Sequence, residues 1–363
     1  MVAVSLKKKV KQTLIDGTEL DVRCFGARTL HIVAGNATGL SLLTILRNMV
    51  LRSDAIIKAP SNDPFTALAI ARTMVEMAPD HPLTKHLSVA YWKGGDQAFE
   101  ERLYQPQNLE KIVAWGGFNS MKHVTRYIQP GLELISLDPK RSASILGKGT
   151  FDSEETMREA AVRLASDIGA LNQKACVCAR VVYVQSGTDE AGLANLNKFG
   201  GYVYDAMQTL PNTLSTMPKR YDQGLKAEVD ALRLDDEWYK VIGGMDGEGA
   251  VICSQLPESV SFATKLDDRT ANLVPVDDLH EMMGAVDAYT QTVGVYPESI
   301  KEDLKDILPL YGAQRIVSLG YAAGLKWAGP QDSIEPLRRM GKWIVNQIAS
   351  PEMTPAPWLR PSI

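Results

Sequence analysis

The segment TLHIVAGNATGLSLLTILRNMVLRSDAIIK (Thr29–Lys58) decides the fold class of this chain. A β-rich run, Thr29–Ala34, comes first, and a helical stretch, Gly39–Arg52, follows it. A second β-rich run, Ala55–Lys58, closes the segment. A strand, a helix and a strand in this order are typical of a βαβ unit, in which the two strands are parallel. The segment therefore predicts the start of a parallel sheet.

The same alternation continues along the chain and predicts a mostly parallel α/β fold. A further helical stretch, Pro64–Met77, lies between the second and third β-rich runs. The other β-rich runs are Lys111–Trp115, Leu132–Leu137, Arg180–Val184, Tyr239–Ile242, Val251–Cys253, Leu273–Val276, Thr292–Tyr296 and Arg315–Leu319.

Composition and charge exclude several classes of protein. The chain has 363 residues, of which 45% are hydrophobic and 23% charged, and these values exclude a disordered or collagen-like chain. At roughly 150 residues per domain, the length indicates two domains. The net charge is −4 and the pI about 5.8, which disfavours a broad basic surface for nucleic acid. We expect no nucleic-acid partner.

The sequence predicts neither a membrane span nor a signal peptide. The most apolar segment, Leu40–Leu51, is interrupted by Arg47 and falls short of the roughly 18 residues that a span requires. The N-terminus reads MVAVSLKKKVKQ, with apolar residues before the lysines, whereas a signal peptide has the reverse order. We therefore expect a cytoplasmic protein with no transmembrane segment.

A helix with one apolar face follows Gly149. Asp152 or Ser153 can cap it, and apolar residues then recur at spacings of three and four as far as Leu171. A strand follows the sequence NQKAC, and this change predicts a domain boundary near residue 170. The last part of the chain is rich in proline and predicts an irregular tail around one helix, Glu335–Ile348.

The cysteines and histidines do not have the spacing of a metal site. The chain has four cysteines and five histidines. Cys176-Val177-Cys178 is a CxC pair with no second pair nearby, and no two histidines have metal spacing. We therefore expect no bound metal. The glycines of Gly243–Gly249 precede a strand rather than a helix, which favours a hairpin turn at Asp246-Gly247 over a dinucleotide loop.

Cys176 is a candidate nucleophile. It lies at the predicted turn from helix to strand, and Lys174 and Arg180 are close to it in sequence. Positive neighbours favour the thiolate, which is the reactive form of cysteine. A cysteine in this position can also be a buried small hydrophobic residue. The residues alone leave both interpretations open.

Several segments, taken in order, resemble the LuxC-type fatty acyl-CoA reductases of the aldehyde dehydrogenase superfamily. They extend over most of the chain, and each is a weak motif by itself. The segments are HIVAGN (His31–Asn36), AIIKAPSNDP (Ala55–Pro64), VAWGG (Val113–Gly117), LDPKRSASI (Leu137–Ile145), NQKACVCARVVYV (Asn172–Val184), RTANLVPVDDL (Arg269–Leu279) and GAQRIVSLGYAAGLKWAGPQDSIEPL (Gly312–Leu337).

The resemblance implies roles for two catalytic residues. Cys176 falls at the position of the family's nucleophile, which attacks a thioester carbonyl and leaves an acyl-enzyme. Asn36 falls at the asparagine whose amide, with a backbone N–H at the cysteine, stabilises the oxyanion. From its position alone, Asn36 could equally be a turn residue at the end of a strand.

The resemblance also implies a site for NADPH. Lys58 matches the lysine that holds the adenosine ribose. NAD-selective relatives often carry a carboxylate three residues later, where this chain has Ser61, and a hydroxyl there can hydrogen-bond a 2′-phosphate. Gly116 and Gly117 fall where the family lets the backbone approach the cofactor.

Two positions depart from the oxidising aldehyde dehydrogenases. Ser136 stands where those enzymes have a glutamate that activates water, and without this base an acyl-enzyme should hydrolyse slowly. Arg269–Val276 has no equivalent of the usual glutamate near the cofactor ribose. An acyl-enzyme that escapes hydrolysis can be reduced, as a reductase requires.

The sequence thus predicts an aldehyde-dehydrogenase-like fold with a Rossmann-type NADP(H)-binding domain at residues 1–170. A catalytic α/β domain follows at residues 171–335, with the active site in the cleft between the two, and a C-terminal helix and proline-rich tail end the chain at residues 336–363. The predicted activity is the NADPH-dependent reduction of long-chain fatty acyl-CoA to fatty aldehyde and CoA. The resemblance also implies a homo-oligomer and a fatty-acid-activating partner, an acyl-protein synthetase.

Two alternatives remain open from the sequence. One is a CoA-acylating aldehyde dehydrogenase that works in the oxidative direction with the same residues. The other is a catalytically silent scaffold for the fatty-acid-activating partner, since the N-terminal region is shorter than is usual in the family.

Overall fold

The computed structural model describes residues 10–13, 19–37, 39–324, 326–347 and 358. The start of the chain lies outside the described residues, and the prediction that it is not a signal peptide falls there. Nearly all of the proline-rich tail after residue 347 also lies outside them. The chain forms two compact units. The first contains the described residues of Met1–Asp138 and Trp327–Ile363, and the second is Pro139–Lys326.

The strands and helices alternate along most of the chain. The strands are β1 (Val10–Thr13), β2 (Glu19–Gly26), β3 (Arg28–Ile32), β4 (Asp54–Lys58), β5 (Leu87–Ala90), β6 (Lys111–Trp115), β7 (Glu133–Leu137), β8 (Arg141–Leu146), β9 (Ala179–Val184), β10 (Tyr239–Gly243), β11 (Ala250–Ser254), β12 (Thr270–Pro275), β13 (Thr290–Tyr296), β14 (Arg315–Ser318) and β15 (Gly341–Gln347). The α-helices are α1 (Gly39–Leu51), α2 (Thr66–Met77), α3 (Pro82–Lys85), α4 (Gln97–Leu103), α5 (Phe118–Thr125), α6 (Glu154–Gly169), α7 (Glu190–Gln208), α8 (Gln223–Leu232), α9 (Glu298–Leu304), α10 (Leu308–Tyr311) and α11 (Pro336–Met340).

The first unit is built on a five-stranded sheet of order β5-β4-β3-β6-β7, in which every pair is parallel. Apolar side chains on β3, β4 and β6, such as Leu30, Ile57 and Ile112, are fully buried. The strand order reverses between β3 and β6, which makes this pair a topological switch point and places a crevice at the carboxyl ends of the two strands. The prediction of a parallel sheet that begins with Thr29–Lys58 is therefore confirmed.

A second, antiparallel sheet in the first unit corrects the prediction for the C-terminal segment. The sequence predicted a helix at Glu335–Ile348, but the helix ends at Met340 and strand β15 follows. β15 pairs with β2 from Gly341 opposite Gly26 to Gln347 opposite Leu20, and β1 pairs with the other edge of β2. The strand was missed because its partner lies more than 300 residues away in the sequence, beyond the reach of a local pattern.

The second unit is built on a seven-stranded sheet of order β10-β11-β12-β9-β8-β13-β14. Its strands are parallel except for β10, which pairs with β11 in the antiparallel sense. The turn between these two strands contains Asp246-Gly247 and has the Glu248 carboxylate as acceptor for the backbone N–H groups of Gly244 and Asp246. The prediction of a hairpin at this turn is confirmed.

The two units divide the chain differently from the predicted boundaries. Residues 139–170 were predicted to end the first domain, but β8 lies between β9 and β13 in the middle of the seven-stranded sheet. The second unit ends at Lys326 rather than near residue 335, because the following residues lead to α11 and β15 in the first unit. Hydrogen bonding between strands, which sequence composition does not record, decides both boundaries.

Helix α6 follows the predicted pattern. The Ser153 hydroxyl oxygen accepts a hydrogen bond from the backbone N–H of Thr156 at 3.1 Å and caps the helix. The predicted apolar face from Met157 to Ile168 is buried. Leu171, which the pattern placed on the same face, is half exposed because the helix ends at Gly169 and the chain turns.

Arg47, which interrupts the apolar helix α1, is buried and holds the C-terminal segment of the first unit. Its guanidinium donates to the carbonyl oxygen of Trp327 at 3.1 Å and to the Gln331 side chain at 3.0 Å. Burial lowers the pKa of Arg47 to about 10, and the Asp332 carboxylate opposes this shift. A single charge in an otherwise apolar helix therefore marks an internal anchor in this fold.

The turn between α6 and β9 has an unusual backbone conformation. Leu171, Asn172 and Gln173 have φ angles of 51°, 54° and 64°, in the left-handed region that L-residues rarely adopt. Side-chain hydrogen bonds hold this conformation. The Asn172 side-chain oxygen accepts from the backbone N–H of Thr216 at 2.8 Å. The turn is therefore fixed by its surroundings rather than by its own preference.

The buried amide of Gln173 joins this turn to the amino ends of β9 and β12. Its Nε2 donates to the carbonyl oxygens of Ala179 and Thr270 at 2.8 and 2.9 Å, and its Oε1 accepts from the N–H of Thr270 at 2.8 Å. The side chain is fully buried, so water cannot replace these bonds.

Replacing Gln173 by leucine should destabilise the protein. The substitution Gln173→Leu keeps a similar volume but leaves buried polar groups of Ala179 and Thr270 short of a partner, which should lower the free energy of unfolding by about 1–3 kcal/mol. Urea unfolding followed by tryptophan fluorescence measures this. Gln223→Leu, at an exposed glutamine, is the control and should change the value by less than about 0.5 kcal/mol. Equal stability of the two variants would contradict the assignment.

Candidate active site

The residues predicted to bind the cofactor meet at one edge of the five-stranded sheet. Lys58 ends β4, and Ser61 lies in the turn that follows. Gly116 and Gly117 follow β6, and Asn36 follows β3. β4, β3 and β6 are neighbours in the sheet, so these residues lie at the carboxyl ends of adjacent strands. The structure therefore brings the predicted cofactor-binding residues and Asn36 together at the carboxyl ends of β4, β3 and β6, where the strand order reverses.

Lys58 is half buried and lies over an aromatic ring. Its ammonium nitrogen is 5.2 Å from the centre of the Trp92 ring. Burial lowers the pKa of Lys58, and the nearby Glu100 carboxylate opposes this shift. The lysine is thus held between an aromatic face and a buried negative charge, which fixes its position at the sheet edge.

The Glu100 carboxylate is the centre of a buried cluster that sequence reasoning did not find. It accepts hydrogen bonds from Nε1 of Trp92 at 3.1 Å and from the Tyr127 hydroxyl at 3.1 Å, and His123 Nε2 lies 2.6 Å away. Burial alone would raise the pKa of Glu100, but the hydrogen bonds from His123, Trp92 and Tyr127 bring it below the usual value. Glu100 therefore keeps a negative charge near Lys58.

The two glycines after β6 differ in their surroundings. Gly117 precedes the first residue of α5, and a side chain added to it would meet only open space. A Cβ at Gly116 would lie 2.9 Å from the Cβ of Ser120, closer than van der Waals contact allows. Gly116 is thus needed for a close approach within the protein, and Gly117 leaves the start of α5 open to a ligand.

A side-chain hydrogen bond joins the loops that carry Asn36 and Ser61. Both residues are exposed, and the Asn62 amide donates to the carbonyl oxygen of Gly35 at 2.9 Å. The loop after β3 and the turn after β4 therefore hold each other in place.

Ser136 lies in β7, an edge strand of the same sheet. Its hydroxyl donates a hydrogen bond to the carboxylate of Asp138. A hydroxyl and not a carboxylate thus occupies position 136, and the nearest acid on this strand end is engaged with it.

Cys176 lies in the second unit, in the loop between the turn at Ala170–Gln173 and strand β9. It is partly exposed, whereas Cys24, Cys178 and Cys253 are buried. Burial raises the pKa of Cys178 and of Cys253 to about 12. Cys178 precedes β9, and its thiol faces the carbonyl oxygen of Ala170 at 3.1 Å. Cys176 is therefore the cysteine of this chain that a reagent can reach.

Lys174 and Arg180, the two positive residues close to Cys176 in sequence, form ion pairs and hydrogen bonds with other residues. The Lys174 ammonium lies 2.7 Å from Asp267 and 2.6 Å from Asp268, so its charge is balanced by two carboxylates. Arg180 donates to the carbonyl oxygens of Leu266 at 2.8 Å and, at longer distance, of Cys178. Lys174 and Arg180 thus anchor the loop through these ion pairs and hydrogen bonds.

Sequence reasoning missed two residues near Cys176: Ser142, which holds the Cys176 loop, and Arg315, which holds the loop after β14. The Ser142 hydroxyl, on β8, donates to the carbonyl oxygen of Cys176 at 2.6 Å and accepts from the N–H of Thr292 at 3.1 Å. Arg315, the first residue of β14, donates to the carbonyl oxygen of Ala322 at 2.6 Å. Neither has a local sequence signal, because each reaches Cys176 or its surroundings through the pairing of distant strands.

Arg315 carries a positive charge that acts on Cys176. Burial lowers the pKa of Arg315, and electrostatic attraction to the carboxylate of Asp167 and to the thiolate form of Cys176 opposes this shift. Asp167 is buried in α6 and accepts from the backbone N–H groups of Gly320 and Ala322 at 2.8 and 2.9 Å. Burial raises the pKa of Asp167 to about 6. The loop after β14 is thus held between Asp167 and Arg315.

Metal-ligating side chains do not gather in groups of three or more among the described residues. None of the helices in the described part of the chain combines the length and the hydropathy needed to cross a membrane.

Comparison with known proteins gives one family model, acyl-CoA reductase (LuxC), which matches residues 24–343. A long-chain acyl-protein thioester reductase of Photorhabdus laumondii is 28% identical over 323 residues, which are 88% of this chain and 64% of that protein. The protein with the same description from Vibrio harveyi is 25% identical and is covered over 66% of its length. This chain therefore spans slightly less than two thirds of these relatives.

Solved structures of aldehyde dehydrogenases share the fold. Lactaldehyde dehydrogenase from Escherichia coli matches with a TM-score of 0.72 at 16% identity, over 94% of this chain and 75% of that one. An NADP-dependent glyceraldehyde-3-phosphate dehydrogenase from Bacillus halodurans matches with a TM-score of 0.71 at 10% identity, with the same coverage. The predicted aldehyde-dehydrogenase-like fold is confirmed. The family model covers most of the chain, so this protein belongs to the LuxC family of acyl-CoA reductases.

Proposed function

We propose that this protein reduces a long-chain fatty acyl-CoA to a fatty aldehyde with NADPH, through an acyl group carried on Cys176. The observation that carries the proposal is the setting of Cys176. It is the accessible cysteine of the chain, the Ser142 hydroxyl holds its loop, and the charge of Arg315 acts on it. These are the properties of an activated thiol nucleophile.

The chain's own residues account for capture of the acyl group. The Cys176 thiolate forms a bond to the thioester carbonyl carbon, and the resulting oxyanion collapses as the bond to the CoA sulfur breaks. CoA leaves as a thiolate and takes up a proton. Asn36 is assigned to the oxyanion, since its amide is a donor on an exposed loop that Asn62 holds in place.

The first unit fits a nicotinamide cofactor. The reversal of strand order between β3 and β6, the open backbone at Gly117 and the fixed ammonium of Lys58 are features that bind a dinucleotide phosphate and ribose. When bound, a reduced cofactor supplies the hydride that turns the acyl thioester into a thiohemiacetal. Breakdown of the thiohemiacetal releases the aldehyde and returns Cys176 to its thiol state.

The side chain at position 136 supports reduction over hydrolysis. A positioned general base typically accelerates such a step by about 10²–10⁴-fold, and Ser136 cannot act as one. Asp138, the nearest carboxylate on the strand end, accepts the hydrogen bond of Ser136. We therefore propose that the acyl-enzyme is reduced by hydride much faster than it is hydrolysed by water.

A second candidate substrate is an acyl group on a protein thiol. The curated relatives are described as acyl-protein thioester reductases, and both substrates present the same thioester carbonyl to Cys176. Such a substrate would come from the fatty-acid-activating partner that the family resemblance implies. A comparison of reduction rates for the two thioesters separates these candidates.

Acylation should depend on Cys176. Incubation with labelled acyl-CoA without NADPH should place the label on the peptide that contains Cys176, and Cys176→Ala should remove both the label and aldehyde production. The matched control is Cys178→Ala, which should retain the label because the Cys178 thiol is buried. Peptide mapping by mass spectrometry measures this. Label on Cys178, or label that survives Cys176→Ala, would contradict the proposal.

The choice of cofactor should depend on Ser61. Ser61→Glu places a carboxylate where we propose that the 2′-phosphate of NADPH binds. Repulsion between the two negative charges should weaken the binding of NADPH by about 1–3 kcal/mol, or roughly 5- to 150-fold in affinity. NADH, which lacks this phosphate, should lose much less. Fluorescence titration with both cofactors measures the effect, with Ser61→Thr as a control that keeps the hydroxyl. Equal losses for NADPH and NADH would show that this turn does not face the phosphate.

A further inference from the structure

A cavity of about 370 Å³ lies beside the Cys176 loop in the second unit. Its walls include Arg141, Arg180 and Tyr183 from β8 and β9, together with Ser261 and Thr264 from the loop after β11. This volume is at the lower end of the range of small-molecule sites, about 300–1,000 Å³. It is large enough for a narrow, flexible arm of a ligand.

The cavity contains hydrogen-bond donors that the fold does not use. Within the described part of the chain, no side-chain hydrogen bond or ion pair engages the Arg141 guanidinium. Tyr183 is 9% exposed, and its hydroxyl likewise has no hydrogen-bond partner among the described residues. Burial raises the pKa of Tyr183 to about 12, so this hydroxyl keeps its proton and can donate. Both donors are therefore available to a ligand that enters the cavity.

The charge of the cavity favours an anion. Arg141 and Arg180 contribute two positive charges, and Asp287 is the acid among the lining residues. The Asp287 carboxylate accepts a hydrogen bond at 2.8 Å from the backbone N–H of Tyr289, the residue before β13. Two guanidinium groups with serine and threonine hydroxyls are the donors that typically bind phosphate.

The cavity also shares residues with the support of the nucleophile. Ser142 lines the cavity and donates to the carbonyl oxygen of Cys176 at 2.6 Å. Arg180, on the same wall, donates to the carbonyl oxygens of Cys178 and Gln173 at 3.3 and 3.4 Å. A ligand in the cavity would therefore lie against the loop that carries the reacting thiol.

We propose that this cavity binds the phosphate-bearing pantetheine arm of the thiol carrier, with Arg141 and the Tyr183 hydroxyl as donors to the phosphate. The inference rests on the proposed function, since it assigns a place to the CoA part of the thioester that Cys176 attacks. It adds that the protein recognises the phosphate of the CoA part of acyl-CoA as well as the acyl chain. Arg141 determines the specificity for this phosphate.

The test compares two thioesters of the same fatty acid, one on CoA and one on pantetheine, which carries no phosphate. Arg141→Ala should raise the KM for acyl-CoA about 10-fold, the effect of one charge-assisted hydrogen bond, with kcat unchanged. The KM for acyl-pantetheine and for NADPH should stay the same. Arg141→Lys, which keeps the charge, should recover part of the loss. Arg220→Ala, at an exposed arginine of the same unit, is the matched control and should change none of these values.

Equal changes for acyl-CoA and acyl-pantetheine, or none for either, would overturn the inference and leave the proposed function standing. If the wild type reduces neither thioester, the proposed function fails, and calorimetry with CoA alone then decides the role of the cavity. Binding to the wild type about 10-fold tighter than to Arg141→Ala would support a CoA site. Equal binding to the two proteins, or none, would overturn it.

Discussion

The reactivity assigned to Cys176 depends on the buried hydrogen bonds that hold its loop against the seven-stranded sheet. Gln173 joins the left-handed turn to β9 and β12, and Ser142 joins the carbonyl oxygen of Cys176 to β8 and β13. A turn with three successive residues at positive φ would not persist without such contacts. The sheet thus holds the Cys176 loop in a fixed position, and under the proposed function this position determines where the thioester carbonyl must approach.

The two sheets carry different functional residues at opposite ends of their parallel strands. In the first unit, the carboxyl ends of β3, β4 and β6 carry Asn36, Lys58 and the two glycines. In the second unit, the amino ends of β8 and β14 carry Ser142 and Arg315 around the Cys176 loop. The proposed dinucleotide site and the proposed thiol nucleophile therefore lie on separate sheets.

The sequence predicts what local patterns record and misses what distant strands create. The βαβ start at Thr29–Lys58 and the apolar face of α6 follow from periodicity, and both are confirmed. Strand β15, the boundary at Pro139 and the position of Arg315 near Cys176 depend on pairing between residues far apart in sequence, so no local pattern contained them. The sequence indicated Lys174 and Arg180 as positive neighbours of Cys176. Ion pairs and carbonyl oxygens engage both, and Arg315 adds a positive charge that the sequence analysis did not identify.

The central claim is that Cys176 holds an acyl group that persists until hydride arrives. The most direct measurement is the mass of the intact protein after incubation with a long-chain acyl-CoA, first without and then with NADPH. The account predicts a mass increase of one acyl group per chain that is stable without NADPH. Addition of NADPH should remove it and release an equal amount of aldehyde. No increase in mass, or an acyl group lost as free acid before NADPH is added, would contradict it.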